Sequence, residues 1–150
     1  MSTSFPKGQN AEEAQNSIVT LHKKLAALRA EIGTLSKKSS NPFFKSKYLD
    51  LNALLDAVDP LLVKHDLALI QPVIASQIGN IVETEIVDIS SGASVKSNLA
   101  LPALNDMQKL GGAVTYARRY TLQSLLGVKA IDDDGNFASG KTKKLESNKF

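Results

Sequence analysis

The stretch LALIQPVIASQIGNIVETEIVDISSGASVKSNLAL, residues 67–101, decides the fold. It divides into three apolar-rich runs separated by two turn signals. Residues 67–74 read as a first strand, with Pro72 marking an edge position or a bulge, because proline cannot donate to a ladder. Gly79-Asn80 turns the chain into residues 81–89, rich in Ile and Val, and Ser91-Gly92 turns it into residues 93–101. In that last run Val95, Ser97, Leu99 and Leu101 share one face, and Ser94, Lys96 and Asn98 the other. This is the period of two of a half-buried strand. Two short turns imply a three-stranded antiparallel meander.

Helical patterns flank the meander on both sides. After Pro102, residues 105–126 read as a long helix, interrupted at Gly111-Gly112 and stopped by Gly127. Before it, residues 50–65 carry Leu51, Leu54, Leu55, Val58, Leu61 and Leu62, with Pro60 expected to kink or split the helix. Residues 11–36 form a first helix, with Asn10 and Glu13 at capping-box spacing. Its seam of Ile18, Leu21, Leu25, Leu28, Ile32 and Leu35 has alternating spacings of three and four. It suits a helix laid on its own domain, or a helix–helix contact between subunits. Helix, helix, three strands, helix is an α+β order. The expected organisation is an N-terminal stretch 1–10 without structure, one domain over 11–136, and a Lys-rich tail over 137–150.

Composition narrows the chemistry. The chain has 150 residues, no Cys, no Trp and two isolated His, His22 and His65. Disulfides and thiolate metal sites are thereby excluded, and a His-based metal site or catalytic triad has almost no raw material. No apolar run is long enough to span a membrane and no signal pattern opens the chain, so a cytoplasmic protein is expected. The net charge of +3 belongs to the tail, where Lys141, Lys143, Lys144 and Lys149 stand against Glu146. Residues 1–136 balance, so any nucleic-acid surface must come from local clustering.

Two segments show such clustering. On a helical wheel of residues 105–126, Leu110, Ala113, Val114, Ala117, Thr121, Ser124 and Leu125 share a core-facing side. Lys109, Tyr116, Arg119 and Gln123 share the opposite side, which offers charge for phosphates and a ring for base stacking. Arg118 falls at the margin of the apolar face near Leu122 and Leu125, where it could pair with Asp132–Asp134. The second segment, residues 37–47, holds four Lys and no acid, with Phe43 and Phe44 inside it and Tyr48 following. Exposed aromatics beside Lys45 and Lys47 would suit a single strand, although one or both Phe could instead anchor the loop to the core.

Two other motifs are decoys. Gly135-Asn-Phe-Ala-Ser-Gly140-Lys141-Thr142 matches a phosphate-binding loop letter for letter. Three Asp precede it, and only eight residues follow, too few for the helix that such a loop requires. Asp132–Asp134 lacks the acids that a calcium-binding EF-hand needs, because Ala130 and Lys141 occupy those positions.

Two blocks resemble a known family. The first is Asn41-Pro42-Phe43-Phe44-Lys45-Ser46-Lys47-Tyr48, continued by Leu51–Val58 and Pro60-Leu61-Leu62. The second is Gly111-Gly112-Ala113-Val114-Thr115-Tyr116-Ala117-Arg118-Arg119-Tyr120-Thr121-Leu122, continued through Leu125-Leu126-Gly127 to Asp132–Asn136. Both resemble the essential-recombination-function (ERF) family of phage single-strand annealing proteins, over roughly residues 15–136. The resemblance implies a β-β-β-α core and annealing of single-stranded DNA without ATP, cofactor or enzymatic step, by homo-oligomeric rings or filaments. It leaves room for a phage exonuclease or a host single-strand-binding protein as a further partner. It also implies Lys45, Lys47, Tyr116, Arg118 and Arg119 as groove residues, to which the pattern of residues adds Phe43, Tyr48, Lys109 and Gln123. The helical wheel ranks Arg119 above Arg118. Longer members of the family continue beyond the point matching Asn136, so partner contacts housed there are not expected here. The competing expectation is a plain single-strand-binding module without annealing activity.

Overall fold

A computed structural model describes residues 10–35, 39–40 and 47–130. Helix α1 runs Ala11–Ile32, with Glu12 and Glu13 in its first turn and Arg29 in its last, each sign suited to the helix dipole. The expected capping box does not form: Asn10 makes no side-chain cap bond, and its carbonyl takes the amides of Glu13 and Ala14 instead. The helix ends four residues before the expected 36, because Gly33 at φ +62° turns the chain away.

Helix α2, Leu51–Lys64, starts on Asp50, whose Oδ1 accepts from the Ala53 amide at 2.7 Å. Pro60 neither ends nor splits it. Asp56 and Pro60 both lie on the exposed side, so the Asp56 carbonyl that loses its helical donor can bond water. The buried side carries Leu51, Leu54, Val58 and Leu62.

Four short segments pair outside the main sheet. Strand β1 (Thr34–Leu35) lies parallel to β8 (Lys129–Ala130), and β2 (Ser39–Ser40) pairs antiparallel with β3 (Lys47–Tyr48). The main sheet holds β4 (Leu67–Ile70), β5 (Val73–Ser76), β6 (Gly79–Asp88) and β7 (Ser94–Ala100). It has four strands where three were expected, because the first is broken at Gln71-Pro72. The pairing on either side of the break stays in one register, Ile70 opposite Glu85 and Val73 opposite Val82. Thus β4 and β5 together form one edge of β6, and β7 forms the other. Pro72 sits on an edge, as its missing N–H requires, and its carbonyl still accepts from the Glu83 amide at 3.0 Å.

Helix α3, Met107–Leu126, is continuous through Gly111 and Gly112, where an interruption was expected. Asp106 Oδ1 caps it through the amides of Gln108 and Lys109. At the other end the Val128 amide reaches the Gln123 carbonyl and the Gly127 amide the Ser124 carbonyl, the paired bonds of a Schellman stop. Gly127 is favoured there by its φ of +60°, and a Cβ would also come within 3.1 Å of the Arg29 guanidinium, which would have to shift.

Helices α1, α2 and α3 share one core. Leu21 and Leu28 of α1, Leu54, Val58 and Leu62 of α2, Leu67 and Ile86 of the sheet, and Leu122 and Leu126 of α3 form a single buried cluster. Each fully buried Leu there contributes about 1.5–3 kcal/mol of transfer free energy. The α1 seam therefore packs on its own domain through Leu21 and Leu28, while Ile18 at its start is exposed. Helix α3 packs on β6 and β7, and α2 packs on both β4 and α3. The inward row of β6 is Val82, Thr84, Ile86 and Asp88, all buried. The outward row carries Glu83 and Glu85, which Lys96 Nζ of β7 reaches at 3.0 and 3.7 Å. Among the described residues no helix is long and apolar enough to cross a membrane.

Candidate nucleic-acid interface

Over its 20 residues α3 carries Lys109, Arg118 and Arg119 and no acid, so the balanced charge of residues 1–136 conceals a locally cationic helix. The helical wheel needs a correction. Ala117 and Thr121 are buried as expected, but so are Leu122 and Leu126, while Ser124 is exposed. The buried arc is thus turned toward Leu122, because α3 must meet α2 as well as the sheet.

The exposed side is built around two rings. Tyr116 and Tyr120 lie one turn apart, about half exposed, with ring centroids 4.9 Å apart and planes 25° apart. The Arg119 guanidinium carbon is 5.2 Å from the Tyr116 centroid, within cation–π range. Burial holds the Tyr116 phenol above its ordinary pKa, the neighbouring Tyr120 hydroxyl adds to this, and the Arg119 charge opposes it. The phenol is neutral at physiological pH, as an ordinary tyrosine is, and about half of the residue is open to solvent. Lys109 is exposed on the same helix, two turns before Tyr116, which is about 10 Å along the axis. Gln123 is half-buried near the C-terminal end.

Arg119 also reaches across the fold. Its Nη1 donates to the Leu49 carbonyl at 3.3 Å. Leu49 is buried and joins β3 to the Asp50 cap of α2. The backbone of Lys47 and Tyr48 therefore arrives at the flank of α3 that carries Arg119. Phe43 and Lys45 lie outside the described residues, as do the Asp132–Asp134 turn, the 135–142 motif and the Lys-rich tail.

Arg118 takes a different neighbour. Its Nε donates to Gln71 Oε1 at 3.3 Å, and Gln71 Nε2 returns a bond to the Arg118 carbonyl at 2.9 Å. Gln71 sits at the β4–β5 break. Arg118 is half-buried and finds no carboxylate partner among the described residues.

Of the residues expected at the site, the structure joins Tyr116 with Arg119, and brings the Lys47–Tyr48 backbone toward them. Lys109 and Gln123 share α3 with this pair. Sequence reasoning missed Tyr120 and Gln71 as site residues. The four-residue spacing from Tyr116 could have flagged Tyr120. Nothing local marks Gln71, whose partner lies 47 residues away. Among the described residues, no cluster of three or more His, Cys, Asp or Glu could hold a metal ion.

A family model described as the ERF superfamily matches residues 21–149. No curated protein and no solved structure matches the chain.

Proposed function

Since the chain belongs to the ERF superfamily, we propose that it binds single-stranded DNA and anneals complementary strands in phage recombination, as an oligomer and without ATP. The observation that carries this reading is the Tyr116–Tyr120 stack with Arg119 over it, on a helix that carries cations and no acid. Ring faces can receive bases by stacking, which leaves the Watson–Crick edges free, while guanidinium and ammonium groups neutralise phosphates. A second coated strand then tests register by pairing. Base pairing supplies the free energy, so the protein makes and breaks no covalent bond. In this reading Lys45, Lys47, Phe43 and Tyr48 line the strand from the β2–β3 connection, and Lys109, Tyr116, Tyr120, Arg118, Arg119 and Gln123 line it from α3.

The test is renaturation of complementary oligonucleotides in EDTA, without nucleotide. Faster renaturation than in buffer alone is expected. Binding without acceleration would leave only a single-strand-binding module. If about four phosphates are neutralised per subunit, log affinity should fall against log salt with a slope near −3. A slope near zero would remove the groove.

A further inference from the structure

We propose that Gln71 is a positioning residue for single-strand binding, holding the Arg118 guanidinium ready for a backbone phosphate beside Arg119. The proposal rests on the reading above and adds a second phosphate contact with its support.

The break in the edge strand has a specific use. Register is kept across Gln71-Pro72, so Gln71 stands directly opposite Thr84 on the helix-facing side of the sheet. Its neighbours on that side, Leu69 and Val73, are apolar. An amide is costly in such a row unless its donors and acceptor are used. Gln71 uses them on two partners: Nε2 donates to Thr84 Oγ1 at 2.8 Å and to the Arg118 carbonyl at 2.9 Å, and Oε1 accepts from Arg118 Nε at 3.3 Å. Two acceptors at Nε2 and a donor at Oε1 define which way the amide faces.

The support continues inward. Thr84 and Thr121, 0% and 3% exposed, place their hydroxyls 2.6 Å apart, and Thr121 Oγ1 is 2.7 Å from the Ala117 carbonyl. A consistent run of donors follows, from Gln71 to Thr84 to Thr121 to the Ala117 carbonyl. Every hydroxyl in it is satisfied, and the run as a whole leads from the strand break to α3. Packing Thr84 against Thr121 requires no bond to Arg118, yet Gln71 makes two of its three bonds to that residue.

The clasp engages Arg118 through Nε and leaves the end-on edge, Nη1 and Nη2, with no partner among the described residues. That planar edge matches the paired oxygens of a phosphate. Arg118 and Arg119 are consecutive, about 100° apart on the helix. One is tied to the strand break and the other to the carbonyl that leads into α2, so each is held by a different element. Two guanidiniums each held by a separate element can take neighbouring phosphates at a smaller entropy cost than two free side chains.

The test is binding of a fluorescein-labelled oligo-dT followed by anisotropy over a salt series, with melting temperatures measured in parallel. The variants are Arg118→Ala, Gln71→Met, which keeps the side-chain length, and the two combined. Arg118→Ala should weaken binding about tenfold and make the log–log salt slope shallower by about 0.7, one phosphate's share. Gln71→Met should weaken binding by several-fold, and in the Arg118→Ala background should have no further effect. A Gln71→Met protein that melts earlier but keeps affinity and slope would overturn the proposal, leaving Gln71 a packing residue. Equal losses in both backgrounds would overturn it too, because Gln71 would then act through something other than Arg118. If Arg118→Ala changes only the oligomeric state, Arg118 meets a neighbouring copy, and the proposal falls while the proposed function stands. A wild-type protein that does not bind the oligonucleotide removes both.

Discussion

Arg119 donates from Nη1 to the carbonyl of Leu49, a residue 70 positions earlier in the chain, at 3.3 Å. This one bond brings the two distinctive segments of the sequence to one place. The Lys- and Phe-bearing connection ends at Leu49, and the Tyr-Ala-Arg-Arg-Tyr block surrounds Arg119. Because the same guanidinium lies over Tyr116, its removal should be felt in binding and, more weakly, in stability.

Arg119→Ala should lower single-strand affinity by about tenfold, the loss of one charge-assisted phosphate contact of about 1.4 kcal/mol. The buried Leu49 carbonyl loses a partner, which costs about 1 kcal/mol and lowers the melting temperature by about 2–4 °C. Arg119→Lys should recover only part of the binding, because an ammonium cannot lie flat over Tyr116 while reaching Leu49. Anisotropy titration and thermal melting check both outcomes, and full recovery by Lys would show that charge alone matters.

Tyr116→Ala and Tyr120→Ala should each weaken binding by about 1–3 kcal/mol if a base stacks there. The Phe variants should keep most of the affinity. The rings already stack on each other, so the double Ala variant should lose less than the two single losses added together. Additive losses would mean that the rings meet separate bases.

Gly111→Ala and Gly112→Ala should stabilise the protein. Among the described residues a Cβ at either position meets nothing within 4 Å, and neither glycine has a positive φ. Each substitution removes the entropy penalty of a glycine inside a helix, about 0.5–1 kcal/mol, and should raise the melting temperature by about 1–4 °C. A fall in melting temperature would show that the helix needs its glycines for close packing beyond that seen among the described residues.

Stability should fall in acid, and one ion pair should account for part of that fall. Asp88, 1% exposed, lies 2.8 Å from Lys24 Nζ and takes further bonds from Ser91 and the Ser90 amide. The bond from Lys24 is the largest cause holding the Asp88 carboxyl below its ordinary pKa, and it outweighs burial, which acts the other way. A carboxylate whose folded pKa is depressed stabilises the fold fully above its unfolded pKa, near 4, and loses that contribution as pH falls through the folded value. Lys24→Met strands a buried charge and should cost about 2–4 kcal/mol at pH 7. The gap between variant and wild type should narrow as pH falls through the folded pKa of Asp88, which lies below its ordinary value, because the carboxyl is then neutral in both. Urea unfolding across that range measures it. Glu31 is likewise lowered, first by its bond from Lys64 and then by His65, but at the surface.

Much of the architecture was legible in local pattern. The alternation in residues 93–101 identified β7 and which of its faces meets the helices, and the spacing of Leu51, Leu54, Val58 and Leu62 identified the buried side of α2. Pro72 marked an edge, since only an edge tolerates a missing donor. These features depend on neighbours within a few residues, which a periodic pattern records. The continuity of α2 through Pro60 and of α3 through Gly111-Gly112 was not legible. A local penalty of about 1–3 kcal/mol is offset by burial of the flanking turns, and that burial belongs to the assembled core.

The site divides in the same way. Sequence alone determined that a helix occupies most of residues 105–126 with Tyr116 and Arg119 away from its core side, because the angle between two residues on one helix depends only on their spacing. Tertiary structure alone decided what each group touches: Gln71 for Arg118, Leu49 for Arg119, and a buried arc turned toward Leu122. Those partners come from the strand break and from the start of α2. A wheel orients residues about their own axis, whereas the packing of α3 against β6, β7 and α2 orients that axis in the molecule.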